Sequence, residues 1–175
     1  MKTKVLFEHN FILQYIARIS SQIYENYQNK YPLLIPIMEG AAVFTNHLTR
    51  YLDYHNLNYD LYPIKVSSYQ DTETTGKLNW HIGFNEKVKG RNCILIDDIL
   101  DTGTTIHYVL EELQKYSPTS IKTCFLLEKT ARRKFDVPKD YVGITFEDGF
   151  IFGFGLDYND RYRDLDEIFV IETDD

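Results

Sequence analysis

Apolar positions recur along this chain in two rhythms, and their order predicts an architecture. Ile12, Ile16, Ile19, Ile23 and Tyr27 fall three and four residues apart, the spacing that lines one face of a helix, so a helix is predicted over about 10–28. A short apolar run over 33–37 leads to Gly40, and residues 41–54 again group Val43, Leu48 and Leu52 on one side. That reads as strand, turn and helix. Residues 59–67 alternate as a strand does, whereas 70–77 are polar, Thr-rich and without period, which predicts an excursion from the fold. The run over 92–97 stays apolar until it meets two carboxylates, and Gly103 then opens a helical pattern to Tyr116 with Ile106, Val109, Leu110 and Leu113 together. Two more strands are predicted over 121–128 and 141–146, with shorter candidates at 151–154 and 168–171. Strands alternating with helices imply a parallel α/β sheet covered on both faces.

No repeat, Gly/Ser linker or block of like charge divides the 175 residues, so 1–175 are expected to form one domain. The formal net charge is −7. A protein that grips nucleic acid by neutralising phosphates needs Lys and Arg in excess on one face, so this balance argues against a nucleic-acid partner and leaves open only a local basic patch. The longest apolar runs, over 33–38 and 93–96, fall far short of the ~20 residues that span a bilayer, and the first ten residues lack a secretion signal's apolar stretch. No membrane partner and a cytoplasmic location are therefore expected. Cys93 and Cys124 sit inside β-branched apolar runs without Cys-x-x-Cys spacing, which suits reduced core thiols. His9, His47, His55, His81 and His107 show no metal-ligand spacing, and Trp80 is expected to pack.

Chemistry concentrates in Ile94-Leu95-Ile96-Asp97-Asp98-Ile99-Leu100-Asp101-Thr102-Gly103-Thr104-Thr105. In an open parallel sheet, ligands bind beyond the carboxyl ends of the strands, where a loop turning into a helix offers unpaired N–H groups to an anion. Thr102, Gly103, Thr104 and Thr105 supply such a loop; hydroxyls, and a glycine that lets the backbone come close, suit a phosphate monoester held without lysine. The carboxylates suit sugar hydroxyls or a magnesium ion, since both want hard oxygen acceptors. Phosphate and diol in one loop describe a ribose 5-phosphate. The plainer alternative is a turn with a helix cap, because Asp and Thr are favoured at both places, but three carboxylates within five positions exceed what a cap needs. The P-loop pattern G-x-x-x-x-G-K-[ST] does not occur, and Asp98 and Asp101 miss the Asp-x-Asp spacing of aspartate-nucleophile phosphatases.

The same segment resembles the phosphoribosyl-pyrophosphate (PRPP) motif of type I phosphoribosyltransferases. Other segments, in the family's order, narrow the resemblance to the hypoxanthine/guanine branch: Val66-Ser67-Ser68-Tyr69, Leu126-Leu127-Glu128-Lys129, Asp140-Tyr141-Val142-Gly143, and Gly153-Phe154-Gly155-Leu156-Asp157-Tyr158-Asn159 with Arg161-Tyr162-Arg163-Asp164-Leu165. The resemblance implies an α/β fold with a central, mostly parallel sheet flanked by helices, a lid loop near 67–80 and a small base-binding hood over 145–175. It also implies purine salvage. The 5-phosphoribosyl group would pass from PRPP to hypoxanthine or guanine, giving IMP or GMP and pyrophosphate, with Mg²⁺ as cofactor and a homodimer or homotetramer as the usual assembly.

Residue by residue, the resemblance implies that Asp97 and Asp98 hold the ribose hydroxyls and, with Asp157, serve the metal. Asp101 matches the position proposed to take a proton from purine N7, and Thr102, Gly103, Thr104 and Thr105 match the 5′-phosphate cradle. Lys129 matches the lysine that donates to the exocyclic O6, which rewards a carbonyl and leaves adenine's amino group facing another donor. Phe150 matches the ring that stacks on the base, with plain core as the alternative, while Ile151 and Asp157 lie near the purine 2-position. Arg163 matches an arginine whose planar fork meets pyrophosphate, with Arg161 as the alternative. Ser68 and Tyr69 begin the lid, although the stretch after them equally suits an ordinary surface loop.

One loop departs from the family pattern. Where a basic residue usually precedes glycine near pyrophosphate, this chain has Met38-Glu39-Gly40. A carboxylate there is repelled by up to about 4 kcal/mol per charge pair at close range, so backbone N–H groups of Glu39 and Gly40 are expected to face the ligand while the Glu39 side chain turns away, toward a neighbouring subunit. The competing function is a PRPP- or nucleotide-sensing regulator that binds nucleic acid on the same fold. Retention of Asp101 and the dispersal of Lys and Arg among excess acid favour the enzyme.

Overall fold

Each predicted helix buries the stripe that predicted it. In the computed structural model, which describes residues 2–68 and 78–172, α1 (His9–Tyr27) buries Ile12, Ile16, Ile19, Ile23 and Tyr27. The second helix, α2 (Ala42–Tyr54), buries Phe44, Leu48 and Leu52, and α3 (Thr104–Gln114) buries Ile106, Val109 and Leu113. The strands are β1 (Thr3–Phe7), β2 (Leu33–Met38), β3 (Asp60–Leu61), β4 (Ile64–Ser68), β5 (Leu78–Ile82), β6 (Asn92–Leu100), β7 (Ser120–Lys129), β8 (Tyr141–Phe146), β9 (Ile151–Phe152) and β10 (Ile168–Ile171).

Seven strands form the main sheet in the order β5-β4-β2-β6-β7-β8, with β3 paired to β2. All pairings are parallel except β4 with β5. A parallel sheet covered on both faces needs apolar residues at successive positions, which explains the unbroken runs of β2 and β6. The pleat divides them: Ile94 and Ile96 face the layer of α1 and α2, while Cys93 and Leu95 face that of α3. Burial of this kind contributes roughly 1.5–3 kcal/mol per large side chain. Cys93 and Cys124 are free and buried, and Trp80 packs against Phe84 with ring centroids 5.5 Å apart.

Three boundaries differ from the pattern reading. The strand expected over 59–67 is two strands, broken at Tyr62–Pro63, because proline has no N–H to give the ladder. The strand expected to stop at Asp97 runs on to Leu100, held by the registers Ile99↔Leu127 and Leu100↔Glu128. Asp97 and Asp98 are thus strand residues rather than loop residues. The candidate at 151–154 ends at Phe152, because Gly153 turns the chain with φ of +96°.

A second, antiparallel sheet of three strands, β1-β10-β9, forms the hood. Its C-terminal strands lie within the expected 145–175, but β1 comes from the other end of the chain, pairing Thr3 with Ile171. The lid stretch with Tyr69 lies outside the described residues, as does the Ser68 side chain. Among the described residues no helix is long and apolar enough to cross a membrane.

Candidate active site

Four structural pieces meet at the carboxyl ends of β6 and β7. The first is the acidic pair on β6. Asp98 is buried, and its backbone N–H donates to Asp97 Oδ1 at 3.1 Å, while Ile99 N–H donates to Asp98 Oδ1 at 2.7 Å. Burial, and then the Asp98 charge, push the Asp97 carboxyl well above the usual range. Burial also raises Asp98, against the pull of the Ile99 N–H. The pair is therefore short of positive charge.

The second piece is the loop from Asp101 into α3. Gly103 takes φ of +81°, and a Cβ there would meet the Phe135 carbonyl oxygen at 2.5 Å, so the turn requires glycine. Thr102 Oγ1 accepts from Thr104 N–H at 3.3 Å and donates to Thr104 Oγ1 at 3.1 Å. Lys134 and Phe135 N–H brace the loop by donating to the Thr102 carbonyl at 2.8 and 3.0 Å. Asp97 and residues 99–106 line a cavity of about 90 Å³ beside the helix start, where first-turn N–H groups favour an anion.

Lys129, at the end of β7, is the third piece. Only 6% exposed, its ammonium donates to the Gly149 carbonyl at 3.0 Å and lies 3.0 Å from Asp148 Oδ1 and 3.9 Å from Asp101 Oδ2. Arg132 reaches the same Asp101 oxygen at 3.7 Å. The other oxygen, Asp101 Oδ1, is buried with no hydrogen-bond partner among the described residues. Leaving a buried acceptor unpaired costs about 1–3 kcal/mol, so this atom is poised to receive a donor.

The fourth piece is a close approach of the turn after β2 and the turn after β9, made possible by two glycines. A Cβ on Gly40 would collide with the Asp98 carboxylate, and a Cβ on Gly155 would come within 2.6 Å of the Gly40 carbonyl oxygen. Arg163 Nη1 donates to the Gly155 carbonyl at 2.7 Å, its Nη2 lies 2.9 Å from Asp157 Oδ1, and its charge acts on both Asp98 and Glu39. Arg161 is exposed. Ile151 is buried in β9, whereas Phe150 is 57% exposed, edge-on to Tyr158 at 5.5 Å, and so is not core.

The structure does not bring Asp157 to Asp97 and Asp98 as a three-carboxylate cage. Asp157 is turned to Arg163 and accepts from Asp160 N–H at 3.0 Å, and no such group of three ligands exists among the described residues. Glu39 finds a cation within the chain. Its carboxylate pairs with Lys65 Nζ on β4 at 2.7 Å, and that hydrogen bond holds its pKa below the ordinary value. Arg132 and Arg133 are the site residues the pattern reading missed; the basic run after Lys129 was the available signal.

A family model for the phosphoribosyl transferase domain matches residues 3–159. The chain belongs to the phosphoribosyl transferase family. Among curated relatives of this phosphoribosyl transferase, the hypoxanthine-guanine-xanthine phosphoribosyltransferase of Tritrichomonas foetus is 34% identical over 170 residues, covering 97% of this chain and 91% of that one. The hypoxanthine-guanine phosphoribosyltransferase of Bacillus subtilis is also 34% identical over 170 residues, covering 97% and 93%. Among solved structures, the hypoxanthine phosphoribosyl transferase of Trypanosoma cruzi superposes with a TM-score of 0.90 at 30% identity, covering 97% of this chain and 91% of that one.

Proposed function

We propose that this phosphoribosyl transferase moves the 5-phosphoribosyl group of PRPP to hypoxanthine or guanine, giving IMP or GMP and pyrophosphate in purine salvage. One observation carries the choice of base: an unpaired buried acceptor, Asp101 Oδ1, beside a buried ammonium donor, Lys129. A 6-oxopurine presents a ring N7–H and a carbonyl O6 side by side on one edge, and the two protein groups read that edge. Adenine would set its amino donor against the ammonium. The names of the relatives above support the same reading.

In this mechanism Thr102, Gly103, Thr104 and Thr105 hold the 5′-phosphate, and Asp97 and Asp98 hold the ribose hydroxyls. Phe150 offers an exposed ring for stacking, with Ile151 and Asp157 beside the base. As the glycosidic carbon leaves pyrophosphate with oxocarbenium character, Asp101 accepts the N7 proton. Arg163 and the backbone at Glu39 and Gly40 receive the pyrophosphate charge. The charge-starved pair Asp97 and Asp98 fits Mg²⁺ and would hold it, since that ion needs only one or two protein carboxylates. Held there, the ion would supply positive charge to the departing diphosphate, while Asp157 holds the Arg163 guanidinium at 2.9 Å. A homodimer or homotetramer in the cytoplasm, where buried thiols such as Cys93 and Cys124 stay reduced, completes the proposal. No observation favours the nucleic-acid-binding regulator.

Initial rates with hypoxanthine, guanine, xanthine and adenine, each with PRPP and with or without Mg²⁺, test the reading. Expected is Mg²⁺-dependent nucleotide formation with oxopurines and little with adenine. Equal use of adenine, or nucleic-acid binding without turnover, would overturn it.

A further inference from the structure

We infer that Arg133 is a positioning residue that locks the proton acceptor Asp101 to the purine reader Lys129. The inference rests on the roles just proposed for those two. The last register pair between β6 and β7 is Leu100↔Glu128, so Asp101, just after β6, and Lys129, the last residue of β7, lie just past that ladder. Arg133 ties the two chain ends together there. Its Nε donates to the Asp101 carbonyl at 2.8 Å, and its Nη2 donates to the Leu100 and Lys129 carbonyls at 3.3 and 3.1 Å. The guanidinium is fixed from behind by Glu128 Oε1 at 3.4 Å. Buried Glu128 is held in turn by Lys139 at 2.9 Å and by the Thr145 hydroxyl at 3.4 Å.

A planar fork can span carbonyls from two strands; a lysine ammonium, a single point of charge, cannot hold the same set in a fixed geometry. The phosphate loop has its own tether, since Lys134 and Phe135 N–H hold the Thr102 carbonyl through the main chain. Loss of the Arg133 side chain thus frees Asp101 relative to Lys129 while the phosphate cradle keeps its brace. The signature is a fall in kcat with little change in the KM for PRPP.

The test uses Arg133→Ala, Arg133→Lys, Asp101→Asn and the double variant Asp101→Asn/Arg133→Ala, with hypoxanthine and saturating PRPP. Misplacing a catalytic group by about 1 Å costs on the order of 100-fold. Arg133→Ala is therefore expected to lose roughly 10- to 100-fold in kcat, to shift the PRPP KM by less than about threefold, and to regain part of its kcat with added methylguanidinium. Arg133→Lys keeps charge and bulk, so its failure to restore kcat separates positioning from mere stability. The double variant should be no slower than Asp101→Asn alone. Multiplying losses in the double variant, or a higher PRPP KM at unchanged kcat, overturn the role of Arg133 alone. Full kcat in Asp101→Asn overturns the reading of Asp101 and the inference with it.

Discussion

Replacing Lys129 with methionine should collapse base selectivity without dismantling the site. Methionine keeps the unbranched apolar stem and roughly the volume, so the substitution removes mainly the ammonium. That ammonium has three N–H groups. The Gly149 carbonyl and Asp148 take two, each at 3.0 Å, and one is left for the substrate. A charge-assisted bond to O6 contributes about 1.5–3 kcal/mol, which corresponds to roughly 10- to 150-fold in kcat/KM. Stability should fall by only about 1 kcal/mol, because the Gly149 carbonyl loses its donor while half-exposed Asp148 regains water. Steady-state kcat/KM for hypoxanthine and for adenine, measured at saturating PRPP, is the assay. The hypoxanthine value should drop by that factor while the adenine value holds or rises. An equal fall for both bases would refute the O6 assignment, since it would mean that Lys129 serves the fold or the Asp101 carboxylate alone.

Other perturbations probe the remaining pieces. A carboxyl whose folded pKa is raised favours the folded state while protonated and gives up stability as pH climbs from its unfolded value through its folded one, so Asp97→Asn should raise Tm at neutral pH without ligand and weaken the fall in Tm from acid to neutral pH. A lower neutral Tm in pH-dependent melts would contradict that sign. Gly40→Ala drives a methyl into the Asp98 carboxylate, at an expected cost of about 1–3 kcal/mol in denaturant titration with a higher KM for PRPP. Because Phe150 is exposed, Phe150→Ala should change stability by no more than about 0.5 kcal/mol. Its purine KM should rise up to about tenfold from lost stacking of roughly 0.5–1.5 kcal/mol. Glu39→Ala breaks only an exposed pair with Lys65, so PRPP kinetics should move by no more than about 1 kcal/mol; a large drop in KM would show the carboxylate facing pyrophosphate.

The helices and the inner strands were readable because their burial is periodic or complete: Ile12 to Tyr27 marks one stripe, and Cys93 to Ile96 fills both faces of β6. The acidic segment stood out because three carboxylates before a Thr/Gly turn have few other uses. What escaped depends on partners distant in sequence. β1 is mostly exposed and exists through its pairing with β10, 168 positions further on at Thr3↔Ile171. The extension of β6 through Asp97 and Asp98 depends on β7, whose register carries the ladder past the point where apolarity stops. Arg132 and Arg133 went unread, because only the fold turns them toward Asp101. Pro63, by contrast, carried a plain signal for the break in the strand over 59–67.

The pairing of β1 with β10 makes the three-stranded hood depend on both ends of the described chain. Thr3 pairs with Ile171, so closing this sheet costs more loop entropy than joining neighbouring strands of the main sheet such as β6 and β7. During synthesis, β6 and the loop into α3 emerge well before β10 can complete the second sheet. Clipping a few residues at either end of the chain would then remove a strand from this second sheet and leave the parallel sheet its own pairings.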